Sequence, residues 1–191
     1  MNLPNKLTLL RILLVPFFVF FLMAGHSGTF SLLALLVFAA ASLTDMLDGK
    51  IARSRGLITT FSKLMDPLAD KILVMSAMIC FVALGLAPAW AVIVILTREF
   101  LVTSLRLIAA GEGLVIAADK WGKIKTVTQM LWIIWVLLWI WLTSSPLAPP
   151  AAFDAFGRGA AAFLMYASVF FTLLSGFNYV WKNRALLFND M

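Results

Sequence analysis

The sequence predicts an all-α integral membrane protein with six transmembrane helices, on two observations. Of the 191 residues, 63% are hydrophobic and only 13% are charged, whereas a soluble domain is nearer half apolar and a quarter charged. Long apolar runs alternate with short polar segments, and six of them approach the roughly 20 residues that a helix needs to cross a bilayer. No repeat or linker divides the chain, so we expect residues 1–191 to form a single membrane domain.

The elements follow in order from where the apolar runs begin and end. Residues 1–11 are expected to form a short amphipathic juxtamembrane segment, and Pro16 to kink the span that follows it. A cleaved signal peptide is a weaker interpretation, because further spans follow directly. Short turns, a basic loop at 53–60, a polar loop at 111–122 and a Ser- and Pro-rich loop at 143–150 separate the spans. The predicted spans are residues 12–24 (with the helix extended backwards to Leu7), 30–52, 61–84, 89–110, 124–142 and 153–181.

The basic residues indicate how the spans are oriented. With six spans both termini lie on one side, and that side holds fourteen of the fifteen Lys and Arg residues, leaving only Arg158 on the other. Such a bias marks the cytoplasmic side of a membrane protein. The net charge of +6 is therefore interpreted as topology rather than nucleic-acid binding. We expect a polar active-site cavity that opens to the cytoplasm from the cell membrane.

Four of the nine acidic residues lie between Asp45 and Asp70, where the second and third spans meet. Asp45 and Asp48 are three residues apart, and Asp66 and Asp70 are four apart. On helices, both spacings put the two carboxylates of a pair on one face. Four charged carboxylates that meet at a membrane edge need cations beside them. This stretch predicts a two-metal site for phosphoryl transfer.

The same stretch resembles the motif of the CDP-alcohol phosphatidyltransferases, D-x2-D-G-x2-A-R-x8-G-x3-D-x3-D. Every fixed position matches except the second glycine, where this sequence has Ser62. Pro4-Asn5, Arg98-Glu99 and the stretch Gly122-Lys123-Ile124-Lys125-Thr126 resemble the branch of that family that forms phosphatidylglycerophosphate. The resemblance covers most of the chain. It implies a membrane enzyme, acting as a homodimer among membrane lipids, that joins CDP-diacylglycerol to glycerol 3-phosphate and releases CMP.

The resemblance also implies roles for the aspartates. Asp45, Asp48 and Asp66 are metal ligands, and Asp70 joins the second metal. Asp70 is in addition the general base, which takes the proton from the acceptor hydroxyl. The implied cofactors are two divalent cations, Mg²⁺ or Mn²⁺, which prefer oxygen ligands.

A second group of residues is expected to bind the CDP-diacylglycerol head. Gly49 has no side chain and lets the nucleotide approach the helix closely. Arg53 offers a fork of donors to the diphosphate. Thr59 is a candidate hydroxyl contact to the nucleotide, and Asn5 and Thr8 are candidates on the cytosine side.

The acceptor phosphate requires its own cationic site. Arg98 and Arg106 are about two turns apart on the fourth span and can face the same way. Lys123 and Lys125 begin the fifth span. Basic residues this deep in a membrane protein need partners or a wet cavity, so these four are predicted to bind the phosphate.

Several alternatives stay open at this point. Inositol phosphate, serine or another alcohol can replace glycerol 3-phosphate as acceptor, although the basic set favours a phosphorylated one. A divalent-cation transporter is a different class, but its ligands belong near the bilayer midplane. The aspartates can also form a purely structural ion-pair network with Lys50, Arg53 and Lys71.

Overall fold

A computed structural model describes residues 3–24, 27–55, 60–111, 120–145 and 150–184. Within these ranges, the side chains of residues 3–5, 45–55, 60–67 and 70 lie outside the description. The described ranges contain six α-helices and no β-strand. In chain order the helices are α1 (Leu3–Met23), α2 (Gly28–Arg55), α3 (Thr60–Ala83), α4 (Ala89–Gly111), α5 (Lys120–Ser144) and α6 (Ala151–Lys182).

Helices α2 to α6 begin and end within a few residues of the predicted spans. The first helix differs, because it begins at Leu3 and residues 3–11 continue directly into the first span. Pro4 does not prevent this, since the first turn of a helix needs no hydrogen bond from its own N–H groups. Pro16 lies inside α1, as the sequence predicts.

The apolar character of the helices confirms an all-α integral membrane protein. In the described ranges, α1, α5 and α6 are long and apolar enough to cross a membrane, and α2 and α3 contain shorter apolar stretches, Gly28–Thr44 and Lys71–Ala83. Helix α4 is of similar length but carries Arg98, Glu99 and Arg106. Large apolar side chains such as Phe163 and Phe177 lie on the exterior, where a bilayer can cover them.

The helices pack in a chain of neighbours around an aromatic core. Helix α1 packs against α2 and α3, α2 against α5, and α6 against both α5 and α4. The rings of Phe18 and Phe38 lie 5.7 Å apart, and those of Phe81 and Trp132 lie 5.9 Å apart edge to face, which are favourable aromatic geometries. This packing brings the middle of α3, the second half of α4, the start of α5 and the end of α6 around one cavity.

Candidate active site

Both pairs of motif aspartates lie on helices. Asp45 and Asp48 are on the C-terminal part of α2, and Asp66 and Asp70 are in the first three turns of α3. The helical backbone gives each pair the shared face that its spacing predicts. Their side chains lie outside the described residues, so the convergence of the four carboxylates stays a prediction.

The predicted nucleotide contacts are described only in part. Gly49 and Arg53 lie on the last turns of α2, but the Arg53 side chain is outside the described part, as is that of Asn5. Thr59 lies outside the described residues altogether. Thr8 is described, and its side chain is fully buried on α1. Its role toward the nucleotide stays a prediction.

Thr8 shares its face of α1 with a buried arginine. Arg11 is one turn further along and only 1% exposed, and Val15 and Phe18 continue the same buried face. Neither Thr8 nor Arg11 is without an interaction partner. Because α1 packs on α2 and α3, this face turns a hydroxyl and a guanidinium toward the two helices that carry the aspartates.

A basic cavity of about 460 Å³ opens between α3, α4, α5 and α6. Three of the four side chains predicted to bind the acceptor phosphate line it: Arg98, Arg106 and Lys123. Lys71, the residue after Asp70, contributes a fourth cation. The remaining polar lining comes from Glu99, Thr103, Thr126 and Tyr179. Four cations and several hydroxyls around one carboxylate form an environment suited to a phosphate group.

Arg98 reaches this cavity through a gap between two glycines. A Cβ atom on Gly176 of α6 would lie 3.0 Å from Arg98 Cγ, and one on Gly122 of α5 would lie 3.4 Å from Arg98 Nη2. The arginine also donates from Nη1 to Glu99 Oε1 at 3.0 Å. The two glycines leave room for the Arg98 side chain, and the Glu99 carboxylate holds its guanidinium group in place.

Arg106 is held by the end of α6. Its Nε donates to the Tyr179 hydroxyl at 3.3 Å, and its guanidinium lies 5.6 Å from the centre of the tyrosine ring. Tyr179 is only 3% exposed, and α6 ends at Lys182, where Asn183 donates back to the Tyr179 carbonyl. The phenol thus combines a hydrogen bond with a cation–π contact.

Lys125 occupies a different position from the other predicted phosphate ligands. Its ammonium lies 2.5 Å from Glu99 Oε1, and its side chain is 4% exposed. It lines a small cavity of about 60 Å³ behind Glu99 rather than the large basic cavity. The contact of Lys125 with the acceptor phosphate stays a prediction. In the structure the ammonium of Lys125 pairs with the Glu99 carboxylate.

Glu99, Thr103 and Tyr179 are lining residues that the sequence did not assign to the site. Glu99 carried a usable signal, since a carboxylate within an apolar helix requires a partner. Tyr179 carried a weaker one, as one of only two tyrosines in the chain. Thr103 carried none. Its hydroxyl contacts the Lys71 ammonium and donates to the Glu99 carbonyl at 2.7 Å.

A membrane bundle with paired aspartates on two helices and a cavity of converging cations suits a membrane enzyme that acts on phosphorylated substrates. The sequence profile of one such family, CDP-alcohol phosphatidyltransferase, matches residues 1–176, and the chain therefore belongs to this family. It is a phosphotransferase. Membership of a transferase family also favours an enzyme over the cation transporter.

Curated relatives cover nearly the whole chain. It is 43% identical over 193 residues to a CDP-diacylglycerol–glycerol-3-phosphate 3-phosphatidyltransferase of Bacillus subtilis, covering 95% of both chains. It is 40% identical to a probable phosphatidylglycerophosphate synthase of Mycobacterium tuberculosis, covering 94% of this chain and 80% of the relative. A Treponema pallidum protein with the same name as the Bacillus one is 34% identical, with 91% of both chains covered.

The family is generally metal-dependent, and the donor set of this chain suits a metal ion. The two aspartate pairs offer carboxylate oxygens, the ligands that hard divalent cations prefer. Both pairs lie on helical backbone, but their side chains lie outside the described residues. The chemistry of these donors fits a divalent cation, and the location of the site at Asp45, Asp48, Asp66 and Asp70 stays a prediction.

Proposed function

We propose that this protein transfers the phosphatidyl group of CDP-diacylglycerol to glycerol 3-phosphate, giving phosphatidylglycerophosphate and CMP. The observation that carries the proposal is the cavity in which Lys71, Arg98, Arg106 and Lys123 converge, directly beside the helix that carries Asp70. A phosphorylated acceptor supplies the anion that such a cavity requires. The names of the relatives point to the same reaction and the same acceptor.

The acceptor binds with its phosphate against the guanidinium groups of Arg98 and Arg106 and the ammonium of Lys123. Arginine suits this task, because its planar fork of donors can bind two phosphate oxygens at once. Serine has no phosphate, and its carboxylate and ammonium cancel in net charge, so it would offset less of the positive charge of this cavity. Inositol phosphate meets the same requirement and remains the alternative acceptor.

Asp70 takes the proton from the acceptor hydroxyl, whose oxygen then attacks the phosphorus that carries diacylglycerol. The bond from that phosphorus to the CMP oxygen breaks, and CMP leaves. Asp45, Asp48, Asp66 and Asp70 would hold two divalent cations, Mg²⁺ or Mn²⁺. When bound, such cations offset the negative charge on the transferring group and on the leaving oxygen.

The head of CDP-diacylglycerol lies along the end of α2 in this proposal. Gly49 gives it close access, and Arg53 grips its diphosphate. Thr59, Asn5 and Thr8 contact the nucleotide, and the acyl chains stay in the lipid. The excess of basic residues at this end of the bundle supports a cytoplasmic active site in the cell membrane. The resemblance to the family further supports a homodimer and a single domain.

The test is CMP release from CDP-diacylglycerol by the purified protein in detergent, with Mg²⁺ or Mn²⁺. Glycerol 3-phosphate, inositol phosphate and serine are supplied in parallel, and a chelator is the control. We expect release with glycerol 3-phosphate and its loss with chelator. Release with inositol phosphate alone would keep the reaction and replace the acceptor. Folded protein that releases no CMP with any of the three would contradict the proposal.

A further inference from the structure

Glu99 stands between two cavities and contacts cations from three helices. Its carboxylate lies 2.5 Å from Lys125 Nζ of α5, 3.0 Å from Arg98 Nη1 of α4 and 3.8 Å from Lys71 Nζ of α3. It lines the large basic cavity on one side and the small cavity of about 60 Å³ on the other. Among the described residues, Glu99 is thus a carboxylate shared by three cations.

The three cations need this carboxylate to remain together. Lys125 is 4% exposed and Glu99 only 15%, so water contributes little to screening their charges. Like charges this close repel one another strongly where the dielectric constant is low. Without the carboxylate, the repulsion between Lys125 and the neighbouring cations is no longer offset at this position.

The arrangement divides the cations into two groups. Lys71 and Arg98 line the large cavity, whereas Lys125 lies behind Glu99 in the small one. An arginine has five N–H donors, so Nη1 can stay on Glu99 while other donors face a ligand. Glu99 thus holds two cations at the cavity wall and keeps a third behind it.

Lys71 gives this arrangement a connection to the predicted base. It follows Asp70 in α3, and its ammonium contacts both Glu99 and the Thr103 hydroxyl of α4. An ion pair between α3 and α4 therefore ties the turn that carries Asp70 to the wall of the basic cavity. Few other contacts join these two helices.

We propose that Glu99 is a positioning residue of the acceptor site, which fixes Arg98 and Lys71 for the acceptor phosphate and keeps Lys125 out of its path. This inference rests on the proposed function, because it names that cavity as the phosphate site. Glu99 touches neither the reacting hydroxyl nor the phosphorus in this account. It acts through the cations that it holds.

The direction in which acceptor affinity changes in Glu99→Gln distinguishes a positioning role of Glu99 from a simple effect of net charge. Replacing Glu99 by glutamine makes the cavity more positive by one charge. If only net charge mattered, an anionic acceptor would then bind more tightly. If Glu99 positions the cations, the acceptor binds more weakly despite the added positive charge.

The experiment compares the wild type, Glu99→Gln, Lys125→Met and the double variant Glu99→Gln/Lys125→Met in the CMP-release assay. For Glu99→Gln we expect the KM for glycerol 3-phosphate to rise about tenfold, the scale of a lost charged hydrogen bond. The KM for CDP-diacylglycerol should stay within about twofold, because its site is on α2. The double variant should recover part of the loss, since it also removes the ammonium that the single variant leaves without a counter-ion.

A second measurement does not depend on turnover. Inorganic phosphate should raise the thermal unfolding temperature of the wild type, since a ligand that binds the folded state stabilises it, and it should do so much less in Glu99→Gln. An unchanged or lower KM for glycerol 3-phosphate, together with full stabilisation by phosphate, would overturn the role of Glu99. If Glu99→Gln does not fold, a double variant with the wild-type KM would overturn it as well.

Failure of the proposed function gives a different result. Wild-type protein that is stabilised by phosphate but releases no CMP with any acceptor would contradict the proposed function alone. The phosphate comparison between the wild type and Glu99→Gln would still decide the role of Glu99.

Discussion

The guanidinium of Arg106 lies against Tyr179, with its Nε 3.3 Å from the phenolic oxygen and its centre 5.6 Å from the ring centroid. The two residues are 73 positions apart and join α4 to the end of α6. Because the tyrosine is buried and the arginine lines the cavity, the contact fixes the position of one of the cations proposed to bind the acceptor phosphate.

Tyr179→Phe should weaken acceptor binding while leaving the fold intact. The substitution keeps the ring under the guanidinium but removes the oxygen that accepts from Nε. A lost hydrogen bond to a charged donor corresponds to about a fivefold to tenfold rise in KM for glycerol 3-phosphate. Tyr166→Phe is the matched control, because that tyrosine is exposed and lies outside the basic cavity. Equal KM values for the two variants would contradict a positioning role for the Tyr179 hydroxyl.

Arg106→Ala should raise the acceptor requirement more than Tyr179→Phe does, because it removes the cation itself. We expect the KM for glycerol 3-phosphate to rise by about two orders of magnitude, and the KM for CDP-diacylglycerol to change little. Arg158→Ala is the control, since Arg158 is an exposed arginine that pairs with Asp154 on α6. A similar loss in both variants would mean that total charge, rather than the cavity, governs acceptor use.

Gly176→Ala should disturb Arg98 although it adds only a methyl group. The new Cβ would lie 3.0 Å from Arg98 Cγ, so the arginine stem has to shift by a few tenths of an ångström. We expect a rise of about threefold to tenfold in the KM for glycerol 3-phosphate, from a cost of about 1 kcal/mol. Gly159→Ala on the same helix meets nothing within 4 Å and should behave like the wild type. KM values for the two variants that cannot be distinguished would remove the steric argument.

The sequence predicted the helices well because each prediction needed only local information. The length and apolar character of the runs predicted the bounds of α2 to α6, and the basic residues within α4 predicted that this helix faces a polar cavity. The bounds of α1 were less accurate. The polar residues before Arg11 suggested a separate surface segment, whereas Thr8 and Arg11 are buried on one continuous helix.

Contacts between residues that are far apart in the chain could not be predicted from the sequence. Lys123 and Lys125 are two positions apart, which rotates their side chains by about 200° around the helix, and only the neighbouring helices decide which one faces the cavity. The same limit applies to Tyr179, whose partner Arg106 is on another helix. A charge pattern can therefore predict a phosphate site without specifying that Lys123 lines the large cavity and Lys125 the small one.

Gly157→Ala is expected to reduce stability rather than acceptor affinity. Its Cβ would lie 2.3 Å from Trp139 Cδ1, and the Gly157 carbonyl accepts a hydrogen bond from Trp135 Nε1 at 3.0 Å. Overpacking of this kind typically costs about 1–3 kcal/mol. Thermal unfolding in detergent should show a lower midpoint than for Gly159→Ala, with the KM for glycerol 3-phosphate unchanged. A midpoint equal to that of Gly159→Ala would mean that α5 and α6 can separate at this crossing without cost.

Asp70→Asn should abolish turnover while nucleotide binding largely survives. An amide cannot take a proton from the acceptor hydroxyl, so we expect kcat to fall by at least about 10²-fold, the lower end of the usual contribution of a general base. Binding of CDP-diacylglycerol, measured directly on the purified variant, should weaken far less, because Arg53 and the other aspartates remain. Asp154→Asn, on the exposed ion pair of α6, is the control and should keep full turnover. Near-normal CMP release by Asp70→Asn would remove this residue as the base and assign proton transfer to another group.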